Sequence, residues 1–189
     1  EGARMTMIRE LVPLALVITP NIPEAEVLAG IPIDSIEAMK EAAVIIHRLG
    51  AANVVVKGGH LPGDAVDVLF DGKGFYHLET RRIPTGDTHG TGCTFSAAIT
   101  AGIARGMSVP DAVRRAKDFI TTAVRFSLRL GSGHGPTNHC ATIMRESERV
   151  TCLEALSGAF LMLASSRCGG VIPESGSNLG YALSYSYRE

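Results

Sequence analysis

The sequence predicts an α/β domain, and three observations carry that prediction. Two short runs, Leu14 to Ile18 and Asn53 to Val56, are rich in branched apolar residues and bounded by turn formers. Strands of a parallel sheet buried on both faces have this composition. Between them Ile36, Met39, Ala43, Ile46 and Leu49 recur at steps of three and four, the signature of one helical face. Beyond them Asp71-Gly72 separates the runs Val66 to Phe70 and Gly74 to Leu78, a β-hairpin signal, and the pattern then turns helical. The order strand, helix, strand, hairpin, helix, helix implies a mostly parallel sheet flanked by helices, with right-handed crossovers.

Each element has a local reason. Ala3 to Leu11 has the character of a helix end. Leu14 to Ile18 lies between Pro13 and Pro20. Thr19 to Glu26 then forms a turn leading into a short helix that stops near Gly30. Ser35 is placed to cap the following helix, with Ala38 at its third position and Glu37 in its first turn; Gly50 ends it. The Val54-Val55-Val56 strand runs straight into Lys57-Gly58-Gly59-His60. A helix from about Gly92 to Arg105 stops at Gly106. Pro110 opens a longer one reaching about Leu130, with the stripe Val113, Ala116, Ile120, Val124 and Leu128. Its charges Arg114, Arg115, Lys117, Arg125 and Arg129 read as a solvated face. Gly131 to Pro136 is a break. A polar linker through Glu148 follows, then an amphipathic helix with Val150, Leu153, Leu156, Phe160 and Leu163 on one side. A short strand, Gly170 to Ile172, and a polar tyrosine-rich end close a short α/β tail. The boundary falls near residue 140, and the roughly 50 residues after it are few for an independent core.

Bulk properties narrow the function. Of 189 residues, 46% are apolar and 20% charged, enough to bury a core, while a net charge of −1 argues against general nucleic-acid or membrane-surface binding. Cys93, Cys140, Cys152 and Cys168 lie far apart without a CxxC pair, as reduced thiols of an intracellular, cytoplasmic protein do. No apolar run is long enough to span a bilayer, and no signal peptide is evident. The chain opens on Glu1 rather than Met, and a processed or partial polypeptide is the expectation.

Chemistry concentrates in Gly86-Asp87-Thr88-His89-Gly90-Thr91-Gly92-Cys93, three glycines in eight residues immediately before a helix. A glycine-rich turn at a helix start aims backbone N–H groups at an anion, and a thiol there sits in the same field. The bland reading is a tight loop that needs glycine for positive φ. Two further segments share its logic. Asn21 and Glu24 follow one predicted strand, and Lys57 with Gly58-Gly59 follows another; ligands of open α/β sheets bind outside these carboxyl ends. A carboxylate able to hold Mg²⁺, a lysine for phosphate charge and an anion-binding helix start suit phosphoryl transfer. Singly, each has an ordinary explanation: Glu24 begins a helix, Lys57 is solvated, Cys93 is a small buried residue. His60 and His89 read as loop residues rather than metal ligands, and Cys140, Cys152 and Cys168 as structural.

Taken together, Thr19-Pro20-Asn21 through Glu24-Ala25-Glu26, Val56-Lys57-Gly58-Gly59-His60 and His89-Gly90-Thr91-Gly92-Cys93-Thr94 resemble the vitamin-kinase branch of the ribokinase-like family. Within it they are most similar to the hydroxymethylpyrimidine/phosphomethylpyrimidine kinases of thiamin biosynthesis. Gly133-His134-Gly135-Pro136 with Asn138-His139 is similar to the end of such a kinase. The resemblance implies a ribokinase-like fold and a phosphotransferase using ATP and Mg²⁺ on hydroxymethylpyrimidine and its monophosphate. It places Asn21, Lys57, Gly58, Gly59, Thr88, Gly90 and Gly92 on the nucleotide, Glu24 and Asn21 at the metal, and Gly90, Thr91 and Gly92 in an anion hole. Cys93 stands where sugar kinases of the superfamily carry an aspartate base. It also implies that residues 1–139 are the C-terminal half of a kinase domain whose N-terminal half, with most pyrimidine contacts, has no counterpart here. Residues 140–189 would be a linker and the beginning of a second domain, since Ile172-Pro173-Glu174-Ser175-Gly176-Ser177-Asn178-Leu179-Gly180-Tyr181-Ala182 resembles the start of thiamin-phosphate synthase. Small molecules are then the expected partners, with no nucleic acid or membrane. An uncovered sheet edge would invite self-association, so a homo-oligomer stays open. The competing readings are a non-catalytic module that senses a thiamin precursor and, from the tail alone, the synthase. Intact nucleotide-side motifs favour the kinase.

Overall fold

A computed structural model describes residues 2–59, 61–128 and 133–143. The chain divides into two units, Glu1–His139 and Cys140–Glu189, and the first carries the named helices and strands. His60, Arg129, Gly131, Ser132 and the predicted helix, strand and synthase-like segment of the tail lie outside the described residues. Within the predicted polar linker, residues 141–143 are helical.

Helix α1 (Gly2–Thr6) passes through a π-helical turn, Met7–Leu11, into a 3-10 turn, Val12–Leu14. Two more helices precede the first strand: α2 (Ile22–Ala29), ended by Gly30 in the left-handed region, and α3 (Ile36–Arg48), capped by the Ser35 hydroxyl on the Ala38 N–H. Strands β1 (Val54–Val56), β2 (Ala65–Phe70) and β3 (Phe75–Thr80) follow, then α4 (Thr91–Ala104) and α5 (Val109–Arg125).

The described sheet has the order β1-β2-β3 and both pairings are antiparallel, with Val55 opposite Leu69 and Val68 opposite His77. The β2–β3 pairing is the predicted hairpin; the expectation of parallel pairing is corrected at β1–β2. Only a short loop joins β1 to β2, and without a crossover helix the chain must come back antiparallel. Parallel pairing survives as bridges of Ile18 with Val54 and Asn21 with Lys57. The hairpin turns at Asp71, whose carboxylate accepts the N–H groups of Lys73 and Gly74. Those two bonds, Gly74's foremost, hold its pKa below the ordinary carboxylate value.

Alternation along β1 divides the core. Val54 and Val56 face Met39, Ala42, Ala43 and Ile46 of α3, while Val55 faces Phe95 and Ile99 of α4 and Val113 and Ala116 of α5. The sheet therefore lies between two helical layers.

Two further expectations need correction. Leu14 to Ile18 is not a buried strand: Leu14 is 82% and Leu16 50% exposed. This segment hydrogen-bonds toward β1 on one side, through Ala52 N to Ala15 O and Ile18 N to Asn53 O. On its other side no strand pairs with it among the described residues. It borders an open groove of about 480 Å³ with Ile99 and Ile103 of α4. Likewise α5 ends at Arg125 rather than near Leu130, leaving Leu128 exposed, and its Lys117 is buried rather than solvated.

Candidate active site

The three segments singled out in the sequence meet at one end of the sheet. The Lys57 N–H donates to the carbonyl of Pro20 at 2.9 Å, which sets Asn21 beside Lys57 in parallel register. The Lys57 side chain then reaches α4: a methyl group placed on Gly92 would lie 3.2 Å from Nζ. The hydroxyls of Thr19 and Ser96, 2.9 Å apart, tie the first segment to the same helix.

Asn21 and Glu24 form a reciprocal cap on α2. The Asn21 side-chain oxygen accepts the Glu24 N–H at 2.9 Å, and Glu24 Oε2 accepts the Asn21 N–H at 2.8 Å. The helix-start role of Glu24 is therefore real, and the residue is exposed with Oε1 outside the cap. Among the described residues no three His, Cys, Asp or Glu side chains gather as a metal cage. A divalent ion here would draw its remaining ligands from phosphate and water, the usual manner of Mg²⁺.

Helix α4 starts with no side-chain cap. Gly90, at φ 83°, supplies the left-handed turn, and the first intrahelical bond runs from Thr94 N to Gly90 O. Thr91 spends its N–H on the Thr88 carbonyl at 3.3 Å. Among the described residues the N–H groups of Gly90, Gly92 and Cys93 have no acceptor. The Cys93 side chain is exposed rather than buried. Thr88 contributes through its carbonyl, from the loop.

That loop is held by the segment near residue 135. The Gly135 N–H donates to Asp87 Oδ1 at 3.1 Å, His89 donates to the Gly135 carbonyl, and His134 Nδ1 lies 2.9 Å from the carbonyl of Gly86. The Thr94 hydroxyl meets His139 Nε2 at 2.8 Å.

Gly58 and Gly59 play parts that spacing did not reveal. A Cβ on Gly58 would overlap the Val66 carbonyl oxygen, so only glycine fits. The Gly58 N–H donates to Asp67, and its carbonyl accepts the Leu61 N–H. The Gly59 carbonyl accepts from Arg82, which also donates to the carbonyls of Gly63 and Leu61. Asp67, Lys117 and Arg82 are the residues that sequence reading missed. The one available signal was an aspartate inside an apolar strand, which demands a partner when buried.

A helix start with open N–H groups, an ammonium against it and a carboxylate corner alongside are what an α/β protein offers to phosphate groups. Comparison with known proteins narrows the class. The family model described as phosphomethylpyrimidine kinase matches residues 1–138, and the chain belongs to that family. The thiamine biosynthesis bifunctional protein ThiED of Geobacter sulfurreducens is 52% identical over 139 residues, covering 73% of this chain and 28% of that protein. The hydroxymethylpyrimidine/phosphomethylpyrimidine kinase of Bacillus subtilis is 49% identical over 133 residues, covering 69% of this chain and 49% of that one. The fold is similar to an ADP complex of Bacillus subtilis pyridoxal kinase, with a TM-score of 0.73, 46% identity, and 76% of this chain against 57% of that one covered. The fold is thus the ribokinase-like one of these vitamin kinases. The chain spans about half the length of the kinases it matches.

Proposed function

We propose that residues 1–139 form the nucleotide-side part of a kinase that uses ATP to phosphorylate hydroxymethylpyrimidine and its monophosphate in thiamin biosynthesis. The observation that carries this is the Lys57 ammonium lying against Gly92 at the uncapped start of the 14-residue α4. Positive charge and outward N–H groups from two distant segments converge on one place, as phosphoryl transfer requires for positioning and charge stabilisation. Family membership and the ADP bound by the similar pyridoxal kinase support the same reading.

In this reading Lys57 binds phosphate oxygens, and the Gly92 and Cys93 N–H groups complete the anion site. Glu24 offers Oε1 to a hydrated Mg²⁺, which supplies charge neutralisation when bound, with Asn21 holding that carboxylate in place. Cys93, in the first turn of α4, presents its thiol as the acid–base or packing partner of the accepting hydroxyl.

Isothermal titration of the 189-residue chain with Mg·ADP tests this. Binding is expected, and Lys57→Met should weaken it by about tenfold or more, as loss of a charge-assisted contact does. Equal affinity in the variant would remove Lys57 from the site. In a full-length kinase carrying this segment, Cys93→Ala should cut kcat by roughly 10²–10⁴ while leaving ADP affinity intact. Full activity would restrict the site to backbone donors.

A further inference from the structure

The described residues contain one buried ion pair, and the phosphate site makes no direct use of it. Asp67 on β2 and Lys117 on α5 meet at 2.8 Å, with 8% and 9% of their side chains exposed. Lys117 Nζ also donates to the Ala65 carbonyl at 3.1 Å. The second carboxylate oxygen of Asp67 accepts the Gly58 N–H at 3.0 Å.

Burying two charges is costly, and an apolar pair of equal volume often serves stability as well or better. What an apolar pair cannot do is take a backbone N–H. That N–H belongs to the residue after Lys57. The Lys57 N–H is itself fixed on the Pro20 carbonyl. The peptide groups on both sides of Lys57 are therefore anchored, one to the neighbouring segment and one to the ion pair. The close approach of Gly58 to the Val66 carbonyl leaves this backbone no room to shift toward β2. A lysine has a flexible four-carbon stem, so its ammonium is delivered to one place only if its Cα is held.

We propose that the Asp67–Lys117 pair is a positioning device for Lys57: Lys117 holds the Asp67 carboxylate in orientation, and Asp67 fixes Gly58 so that the Lys57 ammonium reaches Gly92. The consequence for nucleotide binding rests on Lys57 as a phosphate ligand; the geometry does not.

The test compares the wild-type 189-residue chain with Asp67→Leu/Lys117→Met, which removes the pair without leaving a lone buried charge. NMR reads the cross-relaxation between the Lys57 side chain and Gly92, calorimetry reads Mg·ADP affinity, and thermal melting reads cooperativity. The expected result is a cooperatively folded double variant that lacks the Lys57–Gly92 cross-peak and binds Mg·ADP about tenfold or more weakly. Adding Lys57→Met to it should then cost no further affinity, which a merely structural pair would not produce. Cross-peak and affinity both preserved in the folded double variant would overturn the proposal. If that variant does not fold, amide exchange in the wild type decides: Gly58 must exchange far more slowly than exposed Gly59, and equal rates would overturn it. Failure of the wild type to bind Mg·ADP, while the cross-peak still disappears in the double variant, would sink the phosphate role of Lys57 and leave its positioning standing.

Discussion

The corner at Asn21 and the corner at Lys57 stand side by side and are built by opposite means. Asn21 and Glu24 satisfy each other across three residues, at an exposed helix start. Lys57 is placed from afar: its N–H is held by Pro20, and the neighbouring Gly58 is held by Asp67, which is held by Lys117 fifty positions further on. A local motif is cheap to build and cheap to lose. A corner assembled from distant, buried partners fails together with the packing around it. Substitutions should therefore separate the two corners by the size of their effects.

The largest effect is expected at Lys117. Lys117→Met leaves the Asp67 carboxylate buried with only the Gly58 N–H for company, and breaking a buried pair in this way costs about 3–5 kcal/mol. Urea unfolding measures it; a loss below about 1 kcal/mol would show that water reaches the pair and would erase the contrast between the corners.

Next comes Gly58→Ala. The added methyl would collide with the Val66 carbonyl, so β2 or the Lys57 segment must move, at a cost of about 1–3 kcal/mol. A stability unchanged within error would mean that the two strands separate here without strain.

At the local corner Asn21→Ala should cost about 1 kcal/mol, the ordinary value of a helix cap. The same unfolding experiment reads it. A loss as large as that of Lys117→Met would show that the Asn21 corner too is coupled to the core.

The smallest effect belongs to the Asp71 turn, a second local device, at the β2–β3 hairpin. Its carboxyl titrates below the ordinary 3.8 because the Gly74 and Lys73 N–H groups favour the charged form. A depressed folded value means that its contribution is complete above the unfolded pKa and fades as pH falls through the folded one. Titration of the Asp71 carboxyl carbon by NMR should therefore show a midpoint below that of an unfolded peptide. An unshifted midpoint would show that the turn bonds do not favour the carboxylate.

Local order was legible in the sequence. The cap at Ser35, the stop at Gly30, the hairpin at Asp71-Gly72 and the glycine-led start of α4 all appear where residue chemistry within four positions demands them. The convergence of Asn21, Lys57 and the glycine loop was readable too, because α/β topology brings strand ends to one side. Three things were decided only in three dimensions. The sheet runs antiparallel where a short loop folds β2 back on β1. Leu14 to Ile18 carries the composition of a buried strand, yet burial depends on a neighbour and not on the residues themselves. Lys117 reads as one more charge on a helix face until Asp67 meets it from β2, with its other carboxylate oxygen on the Gly58 N–H. The physical reason is common to all three: a side chain's propensity is a property of its own short segment, whereas its solvation and its hydrogen-bond partner are set by whatever the fold brings against it.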